Sequence, residues 1–287
     1  MTQTPSKMLV TLAVLFLTSA TSFAQKQTDI ESIGARDINR GGFQATMSVE
    51  DEIKLGHQLS LEFEQSVKLL RVPAITEYVD RIGQNVARNS DVKSPVTIKV
   101  VDSPDINATT LPGGFIYVNA GLITAADSEA ELATMMAHAI AHVAARHAAE
   151  LHGRATLFAG ARVPLVAPSS SLFTIMPTAM PSSLQVQMTF LKFDRAAQEE
   201  ADWLGLQYAY KAGYDPKAMV IFFQKMTALA PAATQVSSLF STHPPTEERA
   251  RKADTNITRF LPPRQQNIVT TAEFDQVKAQ LVTLRPQ

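Results

Sequence analysis

The chain has 287 residues, enough to bury a sizeable core as one large domain or two small ones. Hydrophobic residues are 45% and charged residues 18%, the balance of a folded globular protein. Lys plus Arg number 26 against 27 Asp plus Glu, a net charge of -1 that gives no reason to expect nucleic acid or an anionic membrane surface as partner. The lack of cysteine excludes disulfides and thiol lipidation.

Residues 1–24 read as an export signal. Lys7 supplies the positive start, Met8 to Leu17 is an apolar run too short to span a bilayer comfortably, and Ser22-Phe23-Ala24 approximates a small-x-small cleavage site. The expectation is a mature start at Gln25 and a soluble protein, periplasmic or secreted. The alternative is an uncleaved N-terminal anchor. Residues 25–47 are polar and read as a flexible lead-in, residues 48–260 as the folded domain, and residues 261–287 as a C-terminal tail with one short helix near Glu273 to Leu281.

Ser48 to Leu70 suits an amphipathic helix, with Ser48 and Asp51 forming a weaker version of the capping-box pattern at its start. Pro73 opens a second helix whose apolar stripe is Ile75, Val79, Ile82 and Val86. Val96 to Val101 and Phe115 to Val118 read as strands, with the turn Pro112-Gly113-Gly114 before the second. Such strands could offer a free edge to which a peptide adds, or form a plain structural hairpin. The expected class is α+β, mostly helical.

Ser128 to Gly153 reads as one helix, opened by a capping box of Ser128 and Glu131 and closed by Gly153. His138 and His142 are four residues apart on it, so both imidazoles can reach one metal ion. The zinc-peptidase pattern H-E-x-x-H uses this spacing, with a Glu after the first His as general base. Here that position is Ala139. On an unbroken helix His147 falls about 180° round from His138 and cannot share its metal; it reads as a packed or capping residue. His152 returns to the right face, roughly 20 Å along the axis.

Residues 155–188 are apolar but carry Pro164, Pro168, Pro177 and Pro181, which rules out one continuous helix or membrane span. They read as a flap or contact surface for a partner or bilayer, or as a buried irregular loop. Thr189 to Ala212 is a further helix bearing Gln198, Glu199, Glu200 and Asp202, and another runs from Asp215-Pro216 to about Leu229 with its Met and Phe residues in the core. The stiff loop Ser241 to Pro245 leads to a short helix with Glu247, Glu248 and Arg249.

Several ordered stretches carry a family resemblance: SEAELATMMAHAIAHVAARH, NATTLPGGFIYVNAGL, EAD followed by Leu204-Gly205, AGYDP and HPPTEER. Together, from about Val49 to Lys252, they resemble the zinc metallopeptidase family that includes HtpX, the CAAX prenyl proteases and the periplasmic protease BepA. The soluble exported branch, without a tetratricopeptide domain, is the most similar. The resemblance implies a zincin-like fold with a small sheet beside the metal helix. It implies His138 and His142 as zinc ligands, Gln198 at the position of a third-ligand Glu, and Asp202 as an Asp that supports a ligand from behind. It also makes His243 a loop His able to cover the metal and Leu111, Pro112, Gly113 and Gly114 the substrate-strand edge.

Two glutamates of the pattern are thus replaced. Ala139 cannot take a proton from water, and general-base help is typically worth ~10²–10⁴-fold in rate. Gln198 offers only a neutral amide oxygen, so reduced zinc affinity is expected. The expectation is an exported, catalytically impaired member of the family that acts in envelope protein quality control by binding unfolded or misassembled polypeptides. The alternative is an active zinc endopeptidase that uses Glu199, Glu200 or His243 instead.

Overall fold

The computed structural model describes residues 30–38, 47–160, 195–229 and 247–284. The expectations for the signal segment, His243 and the proline-rich stretch from 161 to 188 lie outside these residues.

Helix α1, Val49–Ser66, starts where the Ser48 hydroxyl accepts from the Asp51 amide, with Glu50, Asp51 and Glu52 in the first turn. Helix α2, Pro73–Arg88, begins at a proline that needs no amide partner there. It buries Ile75, Val79, Ile82 and Val86 as one stripe. Next in the chain is a three-stranded sheet: β1, Thr97–Val101; β2, Ala108–Leu111; β3, Phe115–Asn119. The order is β1-β3-β2, with β3 parallel to β1 and antiparallel to β2. The far side of β1 is covered by the segment around Leu69. Among the described residues β2 is paired on one side only.

The short helix α3, Ala120–Ala125, leads to α4, Glu129–Ala144, the buried axis of the fold. Every residue of α4 is buried. Such a helix must be apolar or polar-satisfied all round, and its alanines let neighbours come close. The Ser128 hydroxyl caps the Glu131 amide, while the Glu131 carboxylate accepts from the Asp127 amide and meets Lys225. Helix α5 is His147–Gly160, α6 is Arg195–Lys211, α7 is Lys217–Leu229, α8 is Glu247–Phe260 and α9 is Ala272–Leu284. Helix α4 packs against α6, α2 and α7 and against β2. At the α4–α6 crossing a Cβ on Gly205 would sit 2.9 Å from the His138 backbone nitrogen, so the glycine sets the helix separation.

Three sequence expectations are corrected. The single helix Ser128 to Gly153 is two, broken at Arg146, whose φ is 54. That left-handed conformation is unfavourable for arginine by itself. It is held because the Arg146 guanidinium donates to Glu52 Oε2 at 2.7 Å and to the Met47 carbonyl at 2.6 Å, both at the start of α1. The lead-in is not loose throughout. Residues 30–38 bury Ile33, Arg36 and Ile38, with Arg36 bonded to Asp91 and Gln207. Nor is the end of the chain a tail: α9 buries Phe274, Val277 and Leu281, and Ile268 pairs with Gly213 and Asp215. Apolar burial and a long-range ion pair outweigh the polar composition of both segments. Among the described residues no helix is long and apolar enough to cross a membrane.

Candidate metal centre

His138 and His142 project from one face of α4. Their Nε2 atoms are 3.1 Å apart, with the rings nearly perpendicular at 85°. Two imidazole nitrogens bound to one zinc at ~2.0–2.1 Å stand roughly 3.0–3.4 Å apart for near-tetrahedral angles. The pair therefore has the spacing of a chelate.

The other nitrogen of His138, Nδ1, lies 2.9 Å from Asp202 Oδ1 on α6. Asp202 also receives two parallel bonds from Arg249 on α8, Nε to Oδ2 and Nη2 to Oδ1, each 2.7 Å. Burial alone would raise the Asp202 carboxyl. The Arg249 guanidinium and the His138 contact overcome this and hold it at about 2. His138 is pushed below its ordinary range by burial, against the opposing pull of Asp202. A neutral imidazole, oriented from behind by a carboxylate, is the form that binds a metal. Arg249, the missed member of this set, stood in the HPPTEER stretch. Its guanidinium also lies 4.2 Å from the centre of the Phe223 ring.

His147 is also displaced from its expected place. With the helix broken at Arg146, His147 Nδ1 lies 2.8 Å from His142 Nδ1, and His147 Nε2 lies 3.3 Å from Glu200 Oε2. His152 is on the exposed side of α5.

Gln198 is buried on α6, one helical turn before Asp202 and on the same face. Ala139 is buried on α4 beside His138. Glu199 is drawn to Lys252 on α8 at 2.8 Å, and Glu200 faces His147. Among the described residues no group of three or more His, Cys, Asp or Glu is placed to hold a metal ion.

The turn Pro112–Gly114 is packed away from solvent. Gly113 and Gly114 have φ of 71 and 98, and a Cβ on Gly113 would lie 2.5 Å from the Ile53 backbone of α1. Leu111, Pro112, Gly113 and Gly114 are all buried, whereas Ala108, Thr109 and Thr110 of β2, paired on one side only among the described residues, are half-buried. The turn thus braces the strand.

The arrangement of a histidine pair on a buried helix, with an Asp behind one of them from the next helix, coincides with a sequence match. The model of peptidase family M48 covers residues 73–257. The chain belongs to peptidase family M48. It is 31% identical over 228 residues to a putative beta-barrel assembly-enhancing protease of Vibrio cholerae, covering 76% of this chain and 46% of that protein. It is 27% identical over 228 residues to the beta-barrel assembly-enhancing protease of Escherichia coli K12, with the same coverage. The mitochondrial metalloendopeptidase OMA1 of Bos taurus is 31% identical over 206 residues, 69% of this chain and 39% of that protein. The chain spans about half the length, or less, of these relatives. M48 is a family of zinc-dependent metallopeptidases, and the histidine pair of α4 lies within the matched residues.

Proposed function

We propose that this M48 member binds zinc weakly through His138 and His142, with Gln198 as a neutral third donor, and holds polypeptide beside it without hydrolysing it efficiently. The single observation that carries the reading is the 3.1 Å spacing of two oriented histidines next to a methyl group at position 139. Zinc, when bound, supplies Lewis acidity. The chain's own residues set the rest of the chemistry. His138 and His142 hold the metal, Asp202 and Arg249 fix the His138 ring, and the half-buried edge Ala108 to Thr110 offers main-chain groups to an extended peptide. The proton of an attacking water has no acceptor at Ala139, which costs ~10²–10⁴-fold in rate. Glu199, engaged by Lys252, and Glu200, engaged by His147, are each committed elsewhere. His243 belongs to the same proposal as a loop histidine able to cover the metal.

The substrates by this reading are unfolded or misassembled envelope polypeptides, as the names of the beta-barrel assembly-enhancing relatives suggest. The setting is the periplasm or the exterior, after cleavage near Ala24. Purified protein loaded with zinc and incubated with casein or an unfolded outer-membrane protein tests this. Retention of polypeptide without cleavage is expected. Cleavage that a chelator abolishes would overturn it and favour the active alternative.

A further inference from the structure

A neutral imidazole has one proton to place, so the group behind each nitrogen decides which face is bare. Behind His138 stands a carboxylate, with Asp202 Oδ1 2.9 Å from its Nδ1. Behind His142 stands another imidazole. Its Nδ1 faces His147 Nδ1 at 2.8 Å, and of two nitrogens in hydrogen-bond contact one must donate. The far nitrogen of His147 faces Glu200 Oε2 at 3.3 Å. In that geometry His147 can donate from Nε2 to the carboxylate and turn the lone pair of Nδ1 to His142. His142 can then donate from Nδ1, with Nε2 as its unprotonated nitrogen. A cation shared by the two Nε2 atoms, 3.1 Å apart, would need both unprotonated, and a His142 that donates from Nδ1 to His147 meets that need.

We propose that His147 is a positioning residue for the metal centre: with Glu200 behind it, it fixes the tautomer and ring direction of His142, as Asp202 does for His138. The placement needs the helix break. On an unbroken helix residues five apart stand about 140° from one another and do not meet. Arg146, tied to Glu52 and the Met47 carbonyl, breaks the helix in one residue, and His147 then meets His142. His147 is 2% exposed, so the contact is sheltered from competing water.

The inference rests on His138 and His142 being the zinc ligands, and the experiment separates the two claims. Zinc affinity is measured by competition with a chromophoric chelator for the parent, His147→Phe, which keeps ring volume but has no acceptor, and His147→Gln, whose amide oxygen can accept. Circular dichroism reports folding. A loss of ~10–100-fold in affinity is expected for His147→Phe, with His147→Gln within a few-fold of the parent. In the zinc-loaded parent a ¹⁵N–¹⁵N coupling across the His142–His147 hydrogen bond is expected. A folded His147→Phe that binds zinc as tightly as the parent, or no such coupling, overturns the role of His147 alone. If His147→Phe does not fold, Glu200→Ala takes its place, with several-fold weaker binding expected and unchanged binding contradicting the proposal. A parent that binds no zinc overturns the metal reading and this inference together.

Discussion

Gly205→Ala is the most direct perturbation of the packing that aims the candidate metal site. A Cβ there would lie 2.9 Å from His138 N, 3.0 Å from His138 Cα and 3.2 Å from Ala137 C, all backbone atoms of α4. Ordinary contact begins near 3.5 Å, so the helices must part by roughly half an ångström. Overpacking of this kind costs about 1–3 kcal/mol, against which alanine gains up to about 1 kcal/mol of helix propensity over glycine. The upper half of that range applies, because helix backbone yields less than a side-chain tip. The net loss is about 1–2 kcal/mol, a fall in Tm of about 2–8 °C. The same displacement lengthens the 2.9 Å contact between His138 and Asp202, so zinc binding should weaken too. Thermal unfolding with and without zinc measures both effects. A Gly205→Ala protein with an equal or higher Tm and unchanged zinc affinity would refute the packing argument.

Glycine substitutions elsewhere should rank by what blocks the new Cβ. Gly56→Ala meets the Pro112 carbonyl oxygen at 1.9 Å and should destabilise more than Gly83→Ala, which meets the movable Ile98 Cδ1 and Met136 Cε; equal unfolding midpoints would contradict this. Arg146→Ala leaves Glu52 buried without its ion partner and should cost about 3–5 kcal/mol in denaturant unfolding, with a change under 1 kcal/mol refuting the clamp. The Asp202 carboxyl lies at about 2 in the folded protein against 3.8 unperturbed, a lowered value. Its contribution, on the order of 2 kcal/mol, is therefore full above pH 4 and lost as pH falls towards 2. Acid unfolding of the metal-free protein should show that slope, and Asp202→Asn should flatten it.

Much of this was legible because it is local. The apolar stripe of α2, the caps at Ser48 and Ser128 and the four-residue spacing of His138 and His142 come from periodicity and side-chain chemistry within a few residues. The features that were not legible depend on partners far along the chain. Arg146 takes its left-handed conformation only with Glu52 to hold it, 94 residues away, and so the nearness of His147 to His142 was hidden. Arg36 orders the lead-in only through Asp91. The role of Arg249 against Asp202 likewise arises from the docking of α8 on α6. In the turn Pro112–Gly114 the glycines marked a bend, but not that the bend would be buried under α1.

We propose that this M48 member is catalytically quiet because Ala139 puts a methyl group where the family pattern has a proton acceptor. Turnover of an unfolded outer-membrane polypeptide by the zinc-loaded parent, set beside Ala139→Glu combined with Gln198→Glu, tests it most directly. A gain of at least ~10²-fold in zinc-dependent cleavage by the double variant is the predicted result. A parent that already cleaves as fast as the double variant would contradict it.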